Sequence, residues 1–197
     1  MCNKLSLTGL KIGRILLKNN VLLAPMAGIT NSSYRQIHKS AGAGLVFSEM
    51  ISANGVIRDG KRTLELADHQ EIERPFALQL FGDDPEVMAQ AAQLCSSMAD
   101  ILDINMGCPV KKVIRSGAGS ALMTSPRRAA AIMAAVRKVS HLPLSIKIRS
   151  GWDNERRNFI DLGKIAEQEG IDAITLHPRT RSQGFGGYAL WDDIATL

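Results

Sequence analysis

Cys108 is the residue whose setting in this sequence most favours chemistry. It lies in residues 105–109 (NMGCP), after an apolar run, where Gly107 and Pro109 keep it out of a helix. A thiol in such a loop can act as an acid or a nucleophile over a bound cofactor, although a lone loop cysteine is usually inert. Three basic residues that would lower its pKa and attract phosphate follow at Lys111, Lys112 and Arg115. The glycines of residues 117–119 suggest a flexible loop able to close over a substrate.

Lys147 lies inside a second apolar run, at residues 144–148 (LSIKI). An ammonium group buried there needs a partner or a route to solvent. Three interpretations are open: a lysine whose head group reaches solvent, a Schiff-base lysine, and a cation beside an anionic cofactor. A reduced flavin carries negative charge on its N1–O2 edge, so such a cation would stabilise it.

Gln79 and His177 are polar residues in comparable positions. Gln79 interrupts residues 76–81 (FALQLF), and its amide can pair with a pyrimidine edge, including that of a flavin, or with other core groups. His177 ends residues 173–177 (AITLH), where it would bind flavin or phosphate or serve the structure alone. No single one of these residues decides the function.

Six apolar runs supply the strands that would position these side chains. They are almost continuously apolar, as strands buried on both faces should be, and the charged residues Asp103 and Lys147 break the pattern. The runs cover residues 21–25, 44–49, 76–81, 101–105, 144–148 and 173–177. A small hairpin is predicted at residues 5–18, with its turn at residues 12–14. Helices are predicted from capping residues, first-turn prolines and terminal glycines at residues 32–41, 84–98, 125–139 and 158–168, and a further helix at the end of the chain.

This alternation of strands and helices predicts parallel β/α units. A doubly wound sheet would show a glycine-rich fingerprint after its first strand, and residues 24–28 (APMAG) lack that spacing. A TIM (β/α)₈ barrel instead collects its chemistry at the C-terminal ends of many strands. Polar or unusual residues fall at these ends: Met26, Glu49, Gln79, Asn105, Lys147 and His177. We therefore predict an α/β fold, a TIM barrel with about six of its eight units within residues 1–197.

Composition and charge narrow the class of protein. The chain is 45% hydrophobic and 22% charged, which is typical of a soluble globular protein, and no apolar run approaches the ~18 residues of a membrane span. Its N-terminus does not read as a secretory signal, and three widely spaced cysteines suit a reduced, cytoplasmic compartment. We expect no metal site and no membrane partner.

The net charge of +5 gives a weak indication of a polyanionic partner such as nucleic acid. Basic residues concentrate in the loops on the predicted catalytic side of the barrel, whereas Arg127, Arg128, Arg137 and Lys138 fall on an outer helix. A basic ring around a catalytic mouth suits a polyanionic substrate. Its members are Lys111, Lys112, Arg115, Arg149, Arg156, Arg157, Arg179 and Arg181.

Five segments, in order, resemble the successive signatures of the tRNA-dihydrouridine synthase family. They are residues 24–28 (APMAG), 77–82 (ALQLFG), 103–109 (DINMGCP), 146–152 (IKIRSGW) and 177–181 (HPRTR). Together they span nearly the whole chain. Residues 111–122 are most similar to the bacterial B-type subfamily.

The resemblance implies an FMN-dependent oxidoreductase that uses NADPH to reduce the C5–C6 double bond of specific uridines in tRNA. Reduced flavin would pass a hydride to C6 of a flipped-out uracil, and Cys108 matches the proton donor to C5. The residues that match flavin contacts are Pro25, Met26, Ala27, Gln79, Lys147 and His177. The residues that match contacts with the substrate base or RNA are Asn105, Arg149 and Arg179.

The sequence departs from the family pattern at two places. Pro178 stands where many members have glycine. The family's FMN phosphate loops, after strands seven and eight, and its helical tRNA-binding domain do not match any part of residues 1–197. We therefore expect a partial FMN-binding catalytic domain that exposes apolar sheet edges and holds FMN poorly, from a protein that is monomeric at full length.

Three other functions are compatible with the residues alone. An FMN barrel that reduces a small molecule, similar to dihydroorotate dehydrogenase, would share the fold, although the basic mouth argues against it. An aldolase would use Lys147 as a Schiff base. An inactive fragment would at most bind RNA.

Overall fold

A parallel sheet forms the centre of the molecule. The computed structural model describes residues 9–58 and 60–197. The six strands are β3 to β8, after a short antiparallel hairpin formed by β1 (Lys11–Ile12) and β2 (Ile15–Leu16). The predicted hairpin turn is confirmed, while residues 5–8 of that prediction lie outside the described residues. The strands of the parallel sheet are β3 (Leu22–Leu23), β4 (Leu45–Ser52), β5 (Phe76–Phe81), β6 (Ile101–Asn105), β7 (Leu144–Arg149) and β8 (Ala173–His177).

The order of the strands identifies the architecture. Each strand from β3 to β8 pairs in parallel with the next strand in the sequence. In a doubly wound sheet, the order in which successive strands are added reverses partway along the sheet. In a barrel, each new strand is added on the same side of the previous one. The sheet is therefore a curled half-barrel, which confirms the predicted incomplete TIM barrel with an N-terminal hairpin.

The helices lie between the strands, and the four predicted ones are confirmed to within about one turn. Pro85 and Pro126 stand at the first positions of α4 and α6 and favour the start of a helix there. The side chain of Asn31 caps α1 by accepting from the Tyr34 N–H at 3.0 Å. The longer helices are α1 (Ser32–Ser40), α4 (Pro85–Cys95), α6 (Pro126–Val139) and α7 (Phe159–Gln168). The short helices are α2 (Ala53–Ile57), α3 (Lys61–Leu64), α5 (Lys111–Arg115) and α8 (Asp192–Thr196), of which only α8 was expected. Within the described ranges, no helix is both long enough and apolar enough to cross a membrane.

Two apolar layers bury the two faces of the sheet. Because side chains alternate along a strand, Leu78 and Leu102 join the layer against α4, α6 and α7, while Ala77 and Ile101 point to the opposite face. On that inner face the hairpin residue Ile12 packs among them. The hairpin thus closes the N-terminal end of the half-barrel, and the C-terminal ends of the strands stay free for polar groups.

Strand β8 is the least protected strand of the sheet. All of its residues are partly exposed, whereas almost all residues of β5, β6 and β7 are buried. Among the described strands, β8 pairs with β7 alone. This agrees with the expectation of an exposed sheet edge.

A buried ion pair ties α1 to the segment before β5. Arg35 and Glu73 are almost completely buried, and the Arg35 Nε donates to a Glu73 carboxylate oxygen at 2.6 Å. The other guanidinium nitrogens donate to the carbonyls of Thr30 and Asp68. Glu73 also accepts from the Ser32 hydroxyl. Both buried charges are therefore compensated by hydrogen bonds as well as by each other.

We expect Glu73→Ala to lower the free energy of unfolding by about 3–5 kcal/mol, because it leaves a buried guanidinium without its counter-charge. Urea denaturation followed by circular dichroism measures the loss. Glu71→Ala is the matched control, since that carboxylate lies two residues away and is 90% exposed. Equal stabilities of the two variants would show that the buried pair contributes no more than a surface pair.

Candidate active site

The strand register brings the predicted site residues to one end of the sheet. Gln79 pairs with Asp103, and Asn105 pairs with Lys147. Arg149 pairs with His177 on the last two strands. Because residues two apart on a strand share a face, these side chains line the inner face in successive levels above the apolar layer. Side chains that lie far apart in the sequence therefore meet at one end of the sheet along β5 to β8.

A hydrogen-bonded series of side chains crosses β5 and β6 at this level. The Gln79 Nε2 donates to the Asp103 carboxylate at 2.6 Å, and the Asn105 Nδ2 donates to the Gln79 Oε1 at 2.9 Å. The Ser145 hydroxyl donates to the other oxygen of Asp103. Asp103 is completely buried. Burial raises its pKa to about 6, although the hydrogen bonds and the charge of Lys147 partly offset this effect.

Cys108 follows β6 in a loop that is fixed at several points. Its N–H donates to the Asn105 Oδ1 at 3.0 Å, and its carbonyl accepts from the N–H of Ser120 at 3.1 Å and from its hydroxyl at 2.9 Å. The thiol is free, and the residue is half-buried. The backbone at Cys108 is therefore fixed while the residue stays partly exposed, which suits an acid or a nucleophile.

The glycine-rich segment after Cys108 is packed rather than loose. Residues Gly119–Thr124 form a 3₁₀ segment, and Gly119 and Ser120 are buried. Gly119 has a φ of 60°, and a Cβ there would lie 2.9 Å from the Cys108 carbonyl oxygen. The prediction of a flexible loop at residues 117–119 overlooked this close approach, which only glycine permits. This part of the chain supports the cysteine.

Lys147 is a largely buried cation on the inner face. No described carboxylate forms an ion pair with its ammonium group. Burial lowers its pKa, with the charge of Asp103 acting in the opposite sense and that of Arg149 adding to the effect. A partly desolvated amine without a direct counter-ion suits an anionic or carbonyl-rich ligand.

Arg149 holds two loops together through backbone carbonyls. Its Nε donates to the Gly107 carbonyl at 2.8 Å, and its Nη1 donates to the carbonyls of Thr180 and Gly184 at 3.0 and 2.8 Å. The residue is 2% exposed. In this structure the guanidinium, which was predicted to lie close to the flavin or the substrate base, fastens the Cys108 loop to the loop after β8.

His177 faces a cationic environment. Its pKa is lowered to about 4, chiefly by desolvation and then by the charges of Arg149, Lys147 and Arg179, in that order of effect. The imidazole is therefore neutral at pH 7. Arg179 Nη1 lies 3.3 Å from the Nε2 of His177. Since a guanidinium can only donate, the Nε2 accepts and the proton is on Nδ1.

The segment after β3 is held against β4. The backbone N–H of Gly28 donates to the Glu49 carboxylate, and the Met26 N–H donates to the Thr30 hydroxyl at 3.1 Å. Pro25 and Met26 are half-buried and Ala27 is exposed. Register between β4 and β5 shifts between Phe47 and Met50, and such irregularities often redirect side chains beside a site. Glu49 therefore positions residues 25–27.

The predicted basic ring is only partly free. Lys111, Lys112 and Arg115 are exposed on α5. Arg156 pairs with Asp153, and Arg157 pairs with Asp193. The guanidinium of Arg181 lies over the Trp152 ring at 4.4 Å from its centroid.

Two surface depressions lie outside this cluster. One, of about 390 Å³, lies between the hairpin turn and the end of α6, and the other, of about 360 Å³, lies beside Trp152 and Arg156. Neither is lined by Cys108 or Lys147. We assign the chemistry to the sheet end instead, because the polar and reactive side chains of β5 to β8 converge there. In residues 9–58 and 60–197, no group of three or more His, Cys, Asp or Glu could hold a metal ion.

Comparisons with known proteins identify the family. The family model described as dihydrouridine synthase (Dus) matches residues 22–197, and the chain therefore belongs to this family. It is 49% identical over 190 residues to the protein named tRNA-dihydrouridine synthase B of Pasteurella multocida (strain Pm70). It is 42% identical over 190 residues to a probable tRNA-dihydrouridine synthase of Rickettsia bellii (strain RML369-C).

These alignments cover 95% of this chain but only 57% and 58% of the two relatives. The chain thus spans less than two thirds of the length of the curated relatives it matches. Among solved structures, a 2-naphthoyl-CoA reductase in complex with 2-naphthoyl-CoA has a TM-score of 0.62. That match covers 87% of this chain and 40% of the reductase at 15% identity, which supports the fold alone.

We expect the His177 imidazole to stay neutral from pH 8 down to pH 5, because both burial and three cations disfavour its charged form. An NMR titration of the imidazole resonances measures its pKa, expected at about 4. Arg179→Gln should raise this pKa by removing one of the cations. Arg127→Gln, which removes an exposed charge from α6, should leave it unchanged; a titration near pH 6.5 in the native chain would contradict the cationic environment.

Proposed function

We propose that this protein is an FMN-dependent tRNA-dihydrouridine synthase, which uses NADPH to reduce the C5–C6 double bond of uridines in tRNA. The observation that carries the proposal is the convergence of Cys108, Lys147, Asn105 and Gln79 at one sheet end in a chain of the dihydrouridine synthase family. The names of the two relatives support the substrate, since both include tRNA.

The residues at the sheet end fit a flavin. Lys147 offers a cation without a direct ion-pair partner in the described chain, and the Arg179 Nε is buried without an acceptor. The neutral His177 offers an Nδ1 donor. Such donors complement the carbonyl oxygens and the anionic edge of an isoalloxazine ring, against which Pro25, Met26 and Ala27 would lie. When bound, FMN would supply the hydride that C6 of uracil accepts.

Cys108 would complete the reduction as a general acid. The proton on its Sγ would pass to C5 of uracil and leave a thiolate. Its main chain is anchored on Asn105 and Ser120, so the thiol can be aimed without a large loss of entropy. Arg149 would contribute by holding Gly107 in the same loop. In this way it would indirectly help to position the substrate base.

The exposed basic residues would attract the RNA backbone. Lys111, Lys112 and Arg115 follow the Cys108 loop directly, and all three are exposed. Charges so placed favour a polyanion through counter-ion release. Arg179 would add a phosphate contact near His177. A small-molecule reductase has no need of this rim.

The whole chain would serve as the partial flavin-binding catalytic domain. Its relatives are longer, and their remaining length would complete the barrel and add further RNA contacts. A tRNA substrate and free thiols such as Cys95 and Cys108 are consistent with a cytoplasmic protein. The full-length protein would be a monomer.

Deletion of the gene in its own organism should remove dihydrouridine from particular tRNA positions, as measured by mass spectrometry of purified tRNA. Reintroduced wild-type gene should restore it, and a gene carrying Cys108→Ala should not, because the proton donor is lost. Cys95→Ala is the matched control, since that thiol is buried at the last residue of α4 and burial raises its pKa to about 11. Unchanged tRNA in the deletion strain would refute the proposed substrate, and restoration by Cys108→Ala would refute the proton-donor role.

Lys147→Met should weaken flavin binding or slow reoxidation of the reduced flavin by tRNA at least tenfold, because a largely buried cation is lost. Fluorescence titration with FMN and stopped-flow absorbance measure the two effects. Lys138→Met, on α6, is the control with the same change of charge. Covalent trapping of a carbonyl compound on Lys147 by borohydride would instead indicate a Schiff-base enzyme.

A further inference from the structure

Asp103 lies at the base of the polar series and is not explained by contact with a ligand. It is completely buried, and three side chains face it from the neighbouring strands: Gln79 on β5, and Ser145 and Lys147 on β7. A buried carboxylate is costly, so a chain retains it where it performs a task that an apolar residue could not.

The direction of each hydrogen bond in the series follows from Asp103. An ionised carboxylate only accepts, so the Gln79 amide must turn its NH₂ group towards Asp103. Its carbonyl oxygen is then directed to Asn105, whose NH₂ group donates to it. The Asn105 oxygen is left pointing to the loop, where it accepts from the N–H groups of Gly107 and Cys108 at 3.3 and 3.0 Å.

The opposite amide orientation would break the last contact. If the Gln79 amide turned around, Asn105 would have to turn as well, and its NH₂ group would face the N–H of Cys108. Two donors would then oppose each other in a half-buried position, at the cost of an unsatisfied hydrogen bond. The Gln79 backbone is fixed independently, since its N–H donates to the Ser48 hydroxyl at 2.9 Å. Only the side-chain amides can reorient.

We infer that Asp103 is a positioning residue that orients the amides of Gln79 and Asn105 and thereby fixes the backbone of Cys108. It acts through two other side chains and does not touch the substrate. For catalysis this role rests on the proposed function, whereas the structural part holds for the protein whatever its substrate.

Amide hydrogen exchange tests the structural part directly. In Asp103→Leu, the N–H groups of Gly107 and Cys108 should exchange roughly five- to tenfold faster than in the native protein, because their common acceptor is no longer oriented. Asp103→Asn should restore slow exchange, since its amide oxygen still accepts from Gln79. Ser145→Ala is the matched control: it removes the other partner of Asp103, and exchange at Cys108 should not change.

Gln79→Leu provides the same test if Asp103→Leu does not fold, because it interrupts the series between Asp103 and Asn105. Unchanged exchange at Gly107 and Cys108 in the folded variant would overturn the inference. Equal acceleration in Ser145→Ala would also overturn it, because general loosening of the inner face would then explain the effect.

Enzyme kinetics separate this inference from the proposed function. In a native protein that forms dihydrouridine, Asp103→Leu should lower kcat at least tenfold with little change in the KM for tRNA, and Asp103→Asn should recover most of it. If the native protein forms no dihydrouridine, the proposed function fails while the exchange result stands. If exchange is unaffected but the native protein is active, the inference alone fails.

Discussion

The buried carboxylate of Asp103 is the interaction around which the inner face of the sheet is arranged. A charge in that position requires donors on both neighbouring strands, and Gln79 and Ser145 supply them at the same level of the sheet. Below this level the inner face is apolar and closed by the hairpin. Above it the polar groups reach the opening. The carboxylate thus marks the boundary between the part of the half-barrel that stabilises the fold and the part that binds.

The cations above Asp103 are held in different ways, and this gives them different tasks. Arg149 donates from its Nε and Nη1 to the carbonyls of three loop residues and holds the two loops together. Lys147 has no ion-pair partner in the described chain, and its lowered pKa reflects incomplete compensation for burial. His177 remains neutral because burial desolvates it and the neighbouring cations further disfavour its charged form. One guanidinium therefore builds the site, while an ammonium group and a neutral imidazole remain free for a ligand.

The family membership and the geometry support one another at different levels. The family model covers residues 22–197, but it does not say which side chains meet. The structure shows the series from Asp103 to Cys108, which relates the cysteine motif to the strand motifs by hydrogen bonds rather than by sequence order. The reductase, at 15% identity, shares the fold without adding to the chemistry. A shared barrel leaves the reaction to be decided by the residues at its rim.

The sequence by itself determined the six strands, the longer helices and the end of the sheet where chemistry collects. These features follow from local patterns: continuous apolar runs, a proline at the start of α4 and of α6, and polar residues at strand ends. Asp103 was visible only as a break in such a pattern, and Glu49 only as a strand-end residue. Tertiary structure decided that Asp103 orients two amides, that Glu49 holds Gly28, that Arg149 binds backbone carbonyls, and that residues 119–124 pack under Cys108. Each of these depends on register and on contacts between residues far apart in the chain, which no local pattern records.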